Sequence, residues 1–357
     1  MPDLENWIRL AKLESPKKAI ALVDHLGSPA EVFRTSVKAL AEAVSLKTAE
    51  RFRAMASVPV DGELEALDAL NARVVTYKDP DYPANLRQIY DPPVVLFVKG
   101  EIKEEDRFAV AIVGTRRPSE YGRSMALKIS RELAKRGLCV VSGAARGIDT
   151  GAHNGALKGD GRTIAVLGTG IDVPYPLENR GLLAEIAKNG AVVTEFVPGT
   201  RPDAWRFPVR NRLVSGLALG VLVVESPLAG GAMITATLAG EQGRDVWALP
   251  GMTDNPASEG PHQLIKDGAK LVERAEDILE DLGVPTESTS REPLAVPENL
   301  PPEQTAVLAI LSLHPKHVDE ITSESKLTPA VASSTLTLLE INGLIRRVPG
   351  NAYVRAL

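Results

Sequence analysis

A chain of 357 residues, 44% hydrophobic and 24% charged, carries enough apolar material for two or three packed cores and is not a disordered chain. Its net charge of −5 gives no chain-wide attraction to a polyanion. A nucleic-acid partner would therefore need a local basic surface, since exposed charges act over only ~8–10 Å. The single cysteine, Cys139, excludes an internal disulfide and a cysteine-built zinc cage, and within Leu138-Cys139-Val140-Val141 it reads as core. No apolar run approaches the ~20 residues of a membrane span, and Met1-Pro2-Asp3-Leu4-Glu5-Asn6 is polar, unlike a signal peptide. The expectation is a cytoplasmic protein with no membrane partner.

Residues 1–60 read as short helices, with apolar spacing through Trp7, Leu10, Ala11 and Leu13, then Ala19, Leu22, Val23 and Leu26. Tight turns at 25–33 and at Ser45-Leu46-Lys47 pair these helices as in sterile-alpha-motif or helix-hairpin-helix modules. The second turn lacks glycine to offer backbone N–H groups to phosphate, so packing or protein contact is favoured there over DNA contact. Residues 61–107 add two strands, 74–77 and 94–98, around the turn-rich Asp79-Pro80-Asp81-Tyr82-Pro83 and Asp91-Pro92-Pro93. Strands are then predicted at 109–113, 138–142, 163–167, 191–195, 221–225, 245–249 and 269–272. Helices fit between them at 119–136, 150–158, 178–189, 209–218, 232–242 and 260–267. Unbroken apolar strands alternating with helices specify an α/β fold, a doubly wound, mostly parallel sheet covered on both faces and occupying 61–282.

Pro285, Pro293, Pro297, Pro301 and Pro302 among Ser, Thr and Glu mark 283–302 as a linker. The remainder, 303–357, shows helical spacing at Ala306, Leu308, Ile310 and Leu311, then a hairpin-like stretch over 343–355, the pattern of a winged helix. Its presumed reading helix, 328–340, contains no Lys or Arg, although phosphate contacts supply most of the affinity of such helices for duplex DNA. Arg346, Arg347 and Arg355 leave the wing some capacity for contact. A regulatory or protein-contact role is favoured.

In an open α/β sheet, ligands bind where strand ends turn into helices. The loops at those positions are rich in glycine and arginine: Gly114-Thr115-Arg116-Arg117, Ser142-Gly143-Ala144-Ala145-Arg146-Gly147, Gly168-Thr169-Gly170 and Gly230-Gly231. Glycine admits a ligand close to the backbone, and arginine adds a planar fork matching phosphate oxygens. Four such loops on one rim form an anion site. The dinucleotide pattern G-x-G-x-x-G and the Walker pattern are absent after the first core strand, as are a serine elbow, a cysteine–histidine pair and H-E-x-x-H. Asp149 and His153, four apart, share a helix face and fit a helix-start role better than acid–base chemistry. The densest basic stretch, 201–212, holds Arg201, Arg206, Arg210 and Arg212 with Trp205 and Phe207, and directly precedes a helix. Cationic grooves with aromatic faces hold single strands, each stacked base contributing ~1–3 kcal/mol. Trp205 is favoured as a core anchor, and for Phe207 base stacking and core packing stand equal.

The segments Val113-Gly114-Thr115-Arg116, 142–149, 163–176, Phe207-Pro208-Val209-Arg210-Asn211-Arg212 and Leu249-Pro250-Gly251, in this order, resemble the DNA-processing protein A (DprA, Smf) family over 80–275. The flanking helical domain and winged helix fit the same resemblance, which makes the central sheet an extended Rossmann domain. The resemblance implies a non-enzymatic single-stranded DNA binder that protects incoming strands, loads the RecA recombinase during natural transformation, and forms a homodimer through the central domain. No cofactor, metal or catalytic residue is implied. Arg116 matches the arginine of the family's first glycine loop, and Arg210, Asn211 and Arg212 match its R-N-R element. Ala144 departs from a usual leucine, Gly231-Ala232-Met233 from a commoner Ser-Gly-Ser, and Ala204-Trp205-Arg206 lacks the lysine often found before the Phe-Pro step. The candidate DNA site is therefore Gly114, Thr115, Arg116, Ser142, Gly143, Arg146, Gly147, Gly168, Gly170, Arg206, Phe207, Arg210, Asn211, Arg212, Gly230 and Gly231, with free N–H groups at Gly114, Gly143 and Gly230. The last strand of the sheet would leave an apolar edge, so Leu264 and Leu271 are the candidate dimer contacts. The alternative is a nucleotide-processing enzyme of related fold, such as a phosphoribohydrolase. Its P-G-G-x-G-T-x-x-E loop is matched only loosely by 230–237, with no glutamate in register.

Overall fold

The structure, a computed structural model, describes residues 3–13, 15–284, 300–312, 316–348 and 351–355. Nine strands form one sheet: β1 (Ala72–Thr76), β2 (Val95–Gly100), β3 (Ala109–Val113), β4 (Cys139–Ser142), β5 (Thr163–Val166), β6 (Ala191–Thr194), β7 (Gly220–Val223), β8 (Asp245–Ala248) and β9 (Lys270–Leu271). Their spatial order is β1-β2-β6-β5-β4-β3-β7-β8-β9. From β6 to β9 every neighbouring pair is parallel, whereas β1 and β2 extend the sheet antiparallel beyond β6.

Every residue of β3 to β7 is buried, which is why these strands read as unbroken apolar runs. Side chains still alternate between the two faces. Along β5 and its exit, Ala165 and Leu167 join one core, while Ile164 and Val166 join the other. The first core also takes Trp7, Ile8, Leu10, Leu22 and Phe52, so the N-terminal helices pack on the same apolar cluster as Val95, Phe97 and Val192 of the sheet. Those helices are punctuated by serine caps: Ser28, Ser36 and Ser45 each accept a hydrogen bond from the backbone N–H three residues on. The second core holds Leu213, Val214 and Leu217 of helix Arg206–Leu217, and Ala232, Ala236 and Ala239 of helix Gly231–Glu241.

The winding fixes where a ligand can enter. From β3 the chain lays β4, β5 and β6 outward on one side, then returns to place β7 on the other side of β3. Loops leaving β3 and β7 therefore diverge, opening a crevice at their carboxyl ends. One helix begins earlier than its sequence suggests. Arg206–Leu217 takes in the Phe-Pro step, so residues 206–212 of the basic stretch lie within the helix and only 201–205 precede it. Pro208 falls in the first turn, where a missing N–H breaks no intrahelical bond.

A second compact unit contains helices Pro302–Ile310, Val318–Ser325 and Pro329–Ile341. Its three-stranded antiparallel sheet has β10 (Lys316–His317), β12 (Ala352–Arg355) and β11 (Ile345–Val348) in that order. Val307, Leu311, Ile321, Leu336, Leu339 and Tyr353 form its core, giving a winged helix. Most of the expected linker, 285–299, lies outside the described residues.

Candidate nucleic-acid interface

At the crevice lies a cleft of about 730 Å³. Its walls are the β3 exit (Gly114 to Arg117), Gly143 and Ala145 after β4, Tyr175, the segment Pro202 to Ala204, and Ser226, Pro227 and Gly230 to Ala232 after β7. Helix Arg206–Leu217 crosses it and contributes Phe207, Arg210, Asn211 and Val214. Those four are spaced i, i+3, i+4, i+7, one face of a helix.

Helical phase sorts the arginines of the basic stretch. Arg212 points away from the cleft and is paired with Glu195 and, at 3.5 Å, with Asp91. Arg206 also leaves the cleft, its guanidinium carbon 4.6 Å from the Trp205 ring centroid and 5.8 Å from that of Phe196. Neither belongs to the cleft wall, although both stood among the candidate residues for the DNA site. Arg210 faces inward but is buried. Its Nη1 donates to the carbonyl oxygens of Gly143 (2.7 Å) and Val166, and its Nε to Asn211 Oδ1 at 3.3 Å. It ties the β4 and β5 exits to the helix rather than presenting a free charge. Burial lowers its pKa to about 10, with the Asp149 carboxylate opposing the shift and Arg116 adding to it.

Asp149, on the cleft floor, is pushed up to about 6 by burial, against the pull of Arg210 and of the Ala145 and Gly143 N–H groups. Helix Ile148–Lys158 has no side-chain cap, so in place of the expected helix-start role Asp149 holds the loop before the helix through the Ala145 N–H. Behind it His153 is held neutral, its pKa lowered to about 3 by burial and then by Arg210. Thr163 Oγ1 gives its proton to the Val140 carbonyl, so it accepts from His153 Nδ1–H at 2.7 Å. His153 Nε2 is left buried without a partner.

The glycines act chiefly by having no side chain. A Cβ on Gly143 would stand 2.7 Å from the Arg210 guanidinium, one on Gly168 2.8 Å from the Phe207 ring, and one on Gly114 2.5 Å from Ile148. Two of the three expected free donors are spent internally: the Gly143 N–H on Asp149, and the Gly230 N–H on the Pro227 carbonyl at 2.9 Å. Donors come instead from the start of helix Gly231–Glu241. Its first turn has no acidic residue and no side-chain cap, so its positive end faces the cleft at Gly231 and Ala232. The remaining candidates hold the frame. Ser142 Oγ donates to the Ile112 carbonyl, Gly147 adopts φ +80 against the Thr115 carbonyl, and Gly170 N donates to Thr200. The Thr115 N–H donates to Glu225 O at 2.6 Å, and Asn211 Nδ2 to the Gly231 carbonyl.

What remains open at the mouth is cationic and aromatic. Arg116 and Arg117 are exposed, and the Arg116 guanidinium carbon stands 5.4 Å from the Phe207 centroid. Phe207 in turn meets Tyr175 at 5.3 Å, the rings tilted by 36°. Arg146 stands beside Gly168 and Phe207 but is engaged by Glu178 through both Nε and Nη2. Tyr175 and Arg117 had no place among the candidates, although Tyr175 sits in the proline-flanked loop after β5. Among the described residues no group of three or more His, Cys, Asp or Glu is placed to hold a metal, and no helix is long and apolar enough to cross a membrane. Leu271 lies in β9 at the sheet edge and is 45% exposed; Leu264 is half-buried against the second core.

The family model for DNA recombination-mediator protein A matches residues 73–283, and that for the DprA winged helix domain matches 290–351. Protein Smf of Escherichia coli (strain K12) is 37% identical across 99% of this chain and 96% of its own. DNA processing protein DprA of Streptococcus pneumoniae is 45% identical over 56% of this chain and 71% of its own. Among solved structures, the X-ray structure of DprA from Streptococcus pneumoniae aligns with a TM-score of 0.69 at 35% identity, covering 77% of this chain and 97% of that one. DprA from Helicobacter pylori, described for its single-stranded DNA binding mode, aligns with a TM-score of 0.53 at 32% identity over 59% of this chain and 95% of that one. The central sheet, the winged helix and a near full-length relative agree, and the chain belongs to the DNA recombination-mediator protein A family.

Proposed function

We propose that the cleft binds single-stranded DNA without base preference, and that the protein, a homodimer in the cytoplasm without catalytic activity, protects incoming strands and delivers them to RecA in transformation. One observation carries the reading: an exposed arginine, an aromatic pair and an uncapped helix start converge on one cleft at the switch point of the sheet. Arg116 supplies a phosphate contact, Phe207 and Tyr175 supply faces for bases, and helix Gly231–Glu241 supplies backbone donors. Arg210 and Asp149 keep the loops at the right separation. The Helicobacter pylori relative's single-stranded DNA binding mode supports the same ligand class.

Fluorescence anisotropy with a labelled single strand, the matching duplex and free nucleotides tests the reading. The single strand is expected to bind most tightly, equally for mixed and poly-pyrimidine sequences, because phosphate contacts position without specifying. Arg116→Ala is expected to weaken binding and flatten the salt dependence by about 0.7 log units per log unit of salt, the value for one single-strand phosphate. Tight binding and turnover of a small nucleotide would overturn the reading in favour of a nucleotide-processing enzyme. Delivery to RecA is tested by filament assembly on coated strands, and an assembly rate unchanged by the protein refutes that part.

A further inference from the structure

Three aromatic side chains stand along the rim that bears the cleft, each with a cation against its ring. Phe207, beneath Arg116, rests on Gly168 just after β5. Trp205, with Arg206 at 4.6 Å, packs edge-on against Phe196 two residues after β6, the centroids 6.5 Å apart at 87°. Tyr90, with Lys17 Nζ 3.3 Å from its centroid, precedes β2. Because β2 runs antiparallel to β6, with Phe97 opposite Thr194, the start of β2 lies at the same rim as the end of β6. Arg212, held by both Asp91 and Glu195, ties the Tyr90 loop to the β6 exit. The strands concerned, β5, β6 and β2, are neighbours in the sheet, so the three rings follow the order of the strand ends along one rim.

Two of these rings lie outside the cleft and remain open to solvent. Trp205 is 44% exposed despite Arg206 and Phe196, and Tyr90 is 80% exposed. Large aromatics are costly to leave in water, and rings flanked by cations suit unpaired bases linked by phosphates. We infer that a single strand leaving the Phe207 cleft continues across Trp205 to Tyr90, one base stacking at each ring and the flanking cation taking a phosphate. The inference rests on the single-strand reading of the cleft and adds a direction and a minimum length to it.

Trp205 provides its own probe, because Trp7 and Trp247 are buried. Oligothymidylates of about 2 nucleotides, enough for the Phe207 and Tyr175 faces alone, and of about 15 are titrated against the full chain, following tryptophan fluorescence and anisotropy. The longer oligomer is expected to quench the tryptophan signal. Trp205→Leu and Tyr90→Ala are each expected to weaken the longer oligomer about fivefold or more while leaving the shorter unchanged, and Trp205→Phe to restore most of the loss. Unchanged binding of the longer oligomer by both variants, with Arg116→Ala still impaired, overturns the path and leaves the cleft reading standing. Equal weakening of short and long oligomers overturns it too, since Trp205 would then act inside the cleft. A wild-type protein that binds neither oligomer removes the cleft reading and the path together.

Discussion

Replacing Arg210 by Met separates a brace from a contact. The substitution keeps the aliphatic bulk, removes the donors to Gly143 and Val166, and strips Asp149 of its neighbouring cation. Breaking a buried charged partnership from one side costs about 3–5 kcal/mol, which at ~2–4 °C per kcal/mol lowers Tm by about 6–20 °C. Protonation of Asp149 limits the cost and gives it a pH signature. In the wild type the carboxyl titrates near 6 when folded, above its ordinary 3.8, so its penalty grows as pH rises through that window and is complete above it. Without Arg210 the folded carboxyl titrates higher still. Between pH 7 and 8 the variant then keeps losing stability, by up to about 1.4 kcal/mol per pH unit from this group, where the wild type has levelled off. Urea unfolding of both proteins at pH 6, 7 and 8 measures the difference. A single-strand binding series at rising salt should give the variant the wild-type slope. Wild-type stability together with a slope flattened by about 0.7 would refute the argument and make Arg210 a phosphate contact.

Gly168→Ala puts a Cβ 2.8 Å from the Phe207 ring, so Phe207 must leave its seat; weaker single-strand binding by anisotropy is expected, with Arg116-dependent salt sensitivity retained. Unaltered affinity would exclude Phe207 as a base platform. His153 is neutral in the fold and titrates near 3 rather than 6.5, so its titration costs folding nothing above pH 6.5 and a growing amount as pH falls below it, where only the unfolded chain takes the proton. From pH 7 to 5 the wild type should lose about 2 kcal/mol relative to His153→Leu in urea titrations, and a constant gap would contradict the assignment. Leu271→Glu, at the exposed sheet edge, should shift a homodimer toward monomer by light scattering at tens of micromolar. A wild-type protein that is already monomeric there would remove the edge as a dimer contact.

Much of the α/β architecture was legible because fully buried parallel strands leave runs such as Val110 to Val113 that have no other good explanation. That the loops after β3, β4 and β7 would meet at one cleft was legible too, because a doubly wound sheet gathers its strand exits at the switch point. The arginines inside helix Arg206–Leu217 were less readable. Pro208 masked the true helix start, and without the start the helical phase that sends Arg210 inward and Arg212 toward Glu195 is unknown. Glycine donors misled differently: a sequence gives the N–H but not its partner, and Asp149 and the Pro227 carbonyl had taken two of them. Exposure of Trp205 was also out of reach, because the composition of its neighbourhood suits an anchor as well as a platform.

The return of the chain from β6 to β7 also has a cost during synthesis. The strand β3 is complete at Val113, but its second neighbour begins at Gly220. At about 5–20 residues per second, the ribosome needs about 5–20 s to make the stretch between. Through that interval one side of an apolar strand offers unpaired N–H and C=O groups to any extended segment nearby, the situation that invites strand addition by another chain. Substitutions that slow insertion of β7 should therefore appear first as aggregates of newly made protein, before any loss shows in the stability or DNA affinity of the molecules that fold.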